Sequence, residues 1–175
     1  MNIFRRTRGF ASGERNGISV LAVASGGGHW AQLLRLRPAW ENCDLAYATT
    51  DSSYRYHLAI DGKDTAARFY VIPDANRSQW RGLLWQAVQV TWVVLRERPH
   101  VVVTTGASVG YFALRAGKIL GARTVWIDSI ANAEAISLAG QRACKYADLW
   151  LTQWPELARP IDGISRTPAF RGAVL

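Results

Sequence analysis

Cysteine, histidine and lysine are all scarce in this chain, and each shortage removes a class of protein. Cys43 and Cys144 are the only cysteines among 175 residues. They show no CxxC or Cys/His spacing, so neither a disulfide framework nor a zinc ligand set can be assembled. Reduced thiols in a cytosolic compartment are the simplest reading. His29, His57 and His100 are far apart as well. Long hydrophobic runs are missing too. The apolar run Ile18–Ala24 has the length of a strand. The longest greasy stretch, Leu83–Leu95 (LLWQAVQVTWVVL), would reach roughly 20 Å as a helix, short of the ~30 Å hydrocarbon core of a bilayer. Residues 1–16 hold Arg5, Arg6, Arg8 and Arg15 but no apolar stretch, so they predict a basic arm and not a secretory signal. Acidic residues are few, 13 against 21 basic ones, and 18 of the basic residues are Arg. A net charge of +8 points to anionic partners such as phosphate-bearing ligands or acidic lipid headgroups. Nucleic acid is not expected as a partner, because the charge is scattered and no recognised module is present.

What the chain does have is punctuation. Apolar runs alternate with helical stretches, and Gly or Pro stands at the joints. Strands are expected over Ile18–Ala24, Asp44–Thr50, Phe69–Ile72, His100–Thr105, Arg123–Asp128 and Leu149–Gln153. Helices are expected over His29–Arg37, Ser78–Arg98, Ser108–Leu120 and Ala135–Ala147. Continuously apolar strands alternating with helices imply an α/β fold, a single Rossmann-like domain with a mostly parallel sheet covered on both faces. Three segments follow: a basic arm at 1–16, the domain at 17–158 and a C-terminal tail at 159–175, expected to contact a partner. Open sheets of this kind bind ligands at the carboxyl ends of their strands. That rule singles out Gly26–His29, Thr49–Asp51, Thr104–Ser108 and Asp128–Asn132.

The first of these loops is SGGGHW, Ser25–Trp30. Gly26, Gly27 and Gly28 let backbone N–H groups approach an anion, and a helix N-terminus follows, so phosphate is the expected guest. A tight turn with no ligand is the other use of such a loop. His29 at the helix start is expected to stay neutral and to serve as a base, or else to cap or pack. The second loop is again strand, glycine, helix. Thr105, Gly106 and Ser108 offer hydroxyls and amides that could clamp a second phosphate. In the third, Asp128 ends a strand and Ser129 and Asn132 follow. Asp128 is a candidate to orient a sugar hydroxyl or act as a base, or simply to cap a helix. Trp154 after the last strand stacks on a sugar or plugs a sheet edge. The long helix is apolar nearly all round, with Trp80, Trp85 and Trp92 along it and Arg77, Arg81, Arg96 and Arg98 beside it. One face must pack on the sheet, and the rest fits a membrane interface.

SGGGHWAQLLRL (25–36), TTGASVGYFALRAGKILGARTVWIDS (104–129), ISLAGQRACKYADLWLTQWPEL (136–157) and AFRGAVL (169–175), in that order, resemble the Alg14-like oligosaccharide biosynthesis proteins. That family takes in acceptor subunits of dolichol-linked GlcNAc transferases and D-subunits of bacterial exopolysaccharide glucuronosyltransferases. The N-terminal domain of the peptidoglycan GlcNAc transferase is similar more weakly. The resemblance implies half of a split GT-B glycosyltransferase, equivalent to its N-terminal half. It implies a UDP-sugar-binding catalytic subunit as partner, a polyprenyl-diphosphate-linked acceptor, inverting chemistry without metal or cofactor, and peripheral attachment at the cytoplasmic face of a membrane. Gly26, Gly27, Gly28 and His29 fall on the family's first loop, and Thr105, Gly106 and Ser108 on its second. Asp128 stands where relatives carry Glu, and Asn132 near a position often held by Arg. Two other readings stay open. Gly26–Ala31 also fits the dinucleotide-binding G-x-G-x-x-A pattern, with Asp51 at a later strand end. A non-catalytic scaffold recruiting a transferase to the membrane is the second.

Overall fold

The computed structural model describes residues 17–60, 62, 64, 66–75 and 80–174. The basic arm expected at 1–16, Arg77 and the expected helix start at Ser78 lie outside them. The sequence alternation folds as β1 (Ser19–Ala24), α1 (Gly28–Arg35), β2 (Asp44–Thr49), α2 (Tyr54–Ile60), β3 (Arg68–Val71), α3 (Trp80–Glu97), β4 (Val101–Thr104), α4 (Ala107–Ile119), β5 (Arg123–Ile127), α5 (Leu138–Ala143), β6 (Leu149–Thr152) and β7 (Ala169–Phe170). The strands lie in the order β3-β2-β1-β4-β5-β6-β7, and every neighbouring pair is parallel. The order turns back on itself between β1 and β4, so the chain crosses from one half of the sheet to the other there. That is where a doubly wound sheet opens a crevice at its strand ends.

Period-two alternation splits the core into two layers. Val20, Ala22 and Ala24 of β1 face one side, with Trp30 and Leu33 of α1 and Leu58 of α2. Leu21 and Val23 face the other, with Val90, Val93 and Val94 of α3 and Val109, Ala113 and Leu114 of α4. Helix α4 lies close on its strand because Gly110 has no side chain. A Cβ there would fall 2.0 Å from Thr104 Oγ1.

The structure departs from the sequence reading in three elements. Helix α2 occupies a stretch with no expected element. Helix α5 is shorter than the expected 135–147, because Ser137 caps it with its hydroxyl, accepting from the Gly140 amide at 2.9 Å. The seventh strand comes from the C-terminal segment, where Ala169 and Phe170 pair with Leu151 and Thr152. Arg166 ties that segment down by donating to the carbonyls of Cys144 and Ala147 at the end of α5.

Candidate functional site

Strands β1 and β4 end side by side at the switch point, and both run into a glycine turn and a helix. Ser25, Gly26, Thr50, Asp74, Ala75, Ala107 and Ser108 line a cleft of about 350 Å³ between them. The two glycine loops named from sequence therefore do converge. The geometry of their donors differs from a bare amide cradle. The Gly26 amide donates to Thr50 Oγ1 at 3.1 Å, and the Gly27 amide donates to the Tyr54 hydroxyl at 2.7 Å. Tyr54 is held in turn by stacking on Trp30, with ring centroids 4.9 Å apart and planes 9° apart. Gly27 needs its glycine, since it starts α1 at φ 67°. Gly28 is exposed at the first position of the helix.

His29 is partly buried behind Ser25. Its Nδ1 lies 3.1 Å from Ser25 Oγ, and its carbonyl accepts the Thr105 hydroxyl at 2.7 Å. Its Nε2 edge faces Gly106, where an added Cβ would fall 2.9 Å away. Burial lowers the pKa of the imidazole below its ordinary value, and the Asp128 carboxylate opposes part of that shift. The ring is therefore neutral near pH 7 and able to take a proton. Gly106 starts α4 at φ 132°, and Ala107 follows at φ 64°, a left-handed conformation that a side chain adopts at a cost. Ser108 donates to Gln86 Oε1 of α3 at 2.7 Å, and Gln86 Nε2 donates to the Pro73 carbonyl at 3.0 Å. Through Gln86 the cleft wall is fastened to both α3 and the end of β3.

Asp128 is in a different situation. It is 1% exposed. Its Oδ1 accepts from Trp126 Nε1 at 3.1 Å and from the Ser137 hydroxyl at 2.6 Å. Its Oδ2 accepts from the Ser137 amide at 2.8 Å and from Asn132 Nδ2 at 3.2 Å. Four donors leave it little capacity to meet a ligand, and the arrangement holds the β5–α5 loop. Asn132 serves that carboxylate, and Ser129 Oγ accepts from Gln32 Nε2 at 3.1 Å. Neither residue lines the cleft described above. Trp154 donates to the Ile130 carbonyl at 2.8 Å and packs against the core, and it plugs no sheet edge because β7 lies beyond β6.

Thr50 lies in the strand end Thr49–Asp51 singled out from sequence, whereas sequence reasoning missed Tyr54, Asp74, Gln32 and Gln86. Asp74 follows Pro73 just past the end of β3, a position the strand-end rule could have flagged. Gln32 lies mid-helix and gives no such signal, yet Gln153 Nε2 donates to its Oε1 at 2.7 Å across 121 residues of chain. Among the described residues, no three His, Cys, Asp or Glu side chains are grouped to hold a metal ion, and no helix is long and apolar enough to cross a membrane.

A doubly wound parallel sheet with paired glycine turns at its switch point defines a Rossmann-like α/β domain. The chain belongs to the family described as "Oligosaccharide biosynthesis protein Alg14 like", which matches residues 20–167. It is 31% identical to the "UDP-N-acetylglucosamine transferase subunit ALG14" of Yarrowia lipolytica, covering 79% of this chain and 74% of that protein. The Eremothecium gossypii and human proteins of the same description are 29% and 26% identical, covering 80% and 82% of this chain and 74% and 78% of theirs. Among solved structures, Acinetobacter baumannii MurG superposes with a TM-score of 0.64 at 15% identity, over 83% of this chain and 44% of MurG. UDP-GlcNAc 2-epimerase from Methanocaldococcus jannaschii gives 0.56 at 11% identity, over 77% and 39%. The chain thus spans less than half the length of these solved proteins, and the likeness to them is one of fold.

Proposed function

We propose that this chain is the acceptor-binding subunit of a UDP-sugar glycosyltransferase, acting on a polyprenyl-diphosphate-linked sugar in oligosaccharide or polysaccharide synthesis. The observation that carries the reading is the cleft where the β1 and β4 glycine turns meet, in a chain whose relatives are named transferase subunits. The acceptor's diphosphate sits at this cleft. Thr50 presents a hydroxyl there, Ser108 lines it with its own hydroxyl donating to Gln86, and the amides starting α1 and α4 add positive partial charge. Because the Gly26 amide already donates to Thr50 Oγ1, the Thr50 hydroxyl hydrogen is free to turn to a phosphate oxygen.

In the transfer, the acceptor hydroxyl oxygen forms a bond to the sugar's anomeric carbon while the bond from that carbon to UDP breaks. The acceptor proton passes to neutral His29, directly or through the Ser25 hydroxyl that touches its Nδ1. Asp128 acts at a distance, as a buried charge favouring the imidazolium that forms. The UDP-sugar site belongs to a partner subunit, which the C-terminal segment 159–175 helps to dock. The exposed face of α3 rests on the cytoplasmic leaflet.

Purifying the complex with its partner and assaying transfer of labelled sugar, with and without this chain, tests the reading. Transfer should require both subunits and fall at least about a hundredfold in His29→Ala. Full-rate transfer by the partner alone would reject it. Undiminished transfer by a complex carrying both His29→Ala and Thr50→Val would reduce this chain to a scaffold.

A further inference from the structure

Helices α3 and α4 border a groove of about 670 Å³. One wall is a single face of α3: Trp80, Leu83, Leu84, Ala87, Thr91 and Leu95 recur at helical spacing. The facing wall on α4 runs through Phe112, Arg115, Ala116 and Ile119. Continued one turn toward the helix start, that same stripe reaches Ser108, which lines the phosphate cleft. Groove and cleft therefore share one stripe of one helix, about 6 Å apart along its axis. From Trp80 to Leu95 the groove extends roughly 22 Å down α3.

The charge around the groove is one-sided. Arg115 lines it, and Arg81 lies over the Trp80 ring, 5.5 Å from the centroid. The only acid on either helix is Glu97, which is taken up by Arg68 and Tyr70. The furrow left between these two side-by-side helices is lined mostly by apolar side chains. A flexible hydrocarbon chain fits such a furrow, and an anionic head at its upper end meets the cleft. We infer that the α3–α4 groove holds the isoprenoid chain of the acceptor lipid itself, so that head and tail of one molecule are bound by adjoining parts of α4. The identity of that lipid rests on the function proposed above.

Calorimetric titration of the full chain separates the two. The probes are inorganic pyrophosphate and the geranyl, farnesyl and geranylgeranyl diphosphates, each below its micellar concentration. Affinity should tighten by about tenfold per added isoprene unit until the groove is full. Ala87→Phe, which fills the furrow, and Leu84→Glu, at a position already 58% exposed, should each abolish that gain and leave pyrophosphate affinity unchanged. Circular dichroism confirms that both variants fold. Equal affinity for pyrophosphate and geranylgeranyl diphosphate overturns the inference, as does a chain-length gain that survives both substitutions. So does a chain series left intact by substitutions that abolish only binding to phosphatidylglycerol vesicles, since the face is then a bilayer-docking surface. A chain-length gain without any pyrophosphate binding supports the groove while removing the phosphate reading of the cleft.

Discussion

A Cβ at Gly106 would lie 2.8 Å from Cδ2 and 2.9 Å from Nε2 of His29, at a φ of 132° that side chains avoid. Gly106→Ala should therefore destabilise the domain by about 1–3 kcal/mol in urea unfolding and push the imidazole off Ser25. Its transfer rate should fall at least tenfold even where the fold survives. His29 itself carries a pH signature. Its folded-state pKa lies below the ordinary 6.5 because burial disfavours the imidazolium. Between those two values the unfolded chain binds more protons, so stability rises with pH through that window and is lost as pH falls below about 6.5. His29→Gln should flatten that part of the stability–pH curve. A titration of the His29 ring by NMR giving a midpoint at or above 6.5 would contradict the burial argument. At Asp128 the shape can be kept while the chemistry changes. Asn there must turn an NH2 group toward one of the two pairs of donors that now share the carboxylate oxygens. Asp128→Asn should cost about 2–3 kcal/mol of stability, because buried donors lose a charged acceptor. A thermal midpoint equal to wild type would show that the four hydrogen bonds are dispensable.

Besides the groove wall, helix α3 presents two different surfaces, and they separate by angle. The face at Val90, Val93 and Val94 packs on the sheet, while Trp85, Val88 and Trp92 form an outward ridge at least half exposed. Arg96 lies over Trp92, 5.4 Å from the ring centroid. Aromatic side chains with a cationic neighbour suit the headgroup zone of an anionic leaflet. Trp85→Ser with Trp92→Ser should lower binding to phosphatidylglycerol vesicles by more than tenfold in sedimentation assays. Because the residues are exposed, unfolding free energy should change by less than about 0.5 kcal/mol. Unchanged vesicle binding would show that this ridge does not meet a bilayer. The elements legible in the sequence were those with strong local signals. β1 and β4 are apolar runs closed by glycine, and α3 is a long stretch closed by Pro99. The elements that escaped have weak local signals and depend on tertiary partners. β7 is two residues long and exists because Leu151 and Thr152 offer it an edge. α5 begins where Asp128 captures Ser137, a contact nine residues away. The site was legible to the same extent: the glycine turns and the strand end at Thr50 announced themselves, whereas Tyr54 and Gln86 reach them from other elements. Asp128 was visible as a residue at a strand end, but its four donors were not.

The whole molecule raises a question of division of labour, since its solved neighbours are more than twice the length it spans. If this half binds only the lipid acceptor, ligands should sort by subunit. A ligand that binds the native state alone stabilises it by about 2.7 kcal/mol at a hundred times its dissociation constant. For a domain of this size, each kcal/mol moves the melting midpoint by roughly 2–4 °C, so saturating ligand should raise it by about 5–10 °C. Geranylgeranyl diphosphate should produce that rise in the isolated chain. UDP-N-acetylglucosamine should leave the isolated chain unmoved and stabilise only the complex with the partner subunit. Excess potassium chloride should shrink the lipid effect, because the diphosphate is held partly by screened charge at two helix starts. A rise with the nucleotide sugar in this chain alone would place the donor site here. The two glycine turns would then have to be reassigned from the acceptor to UDP.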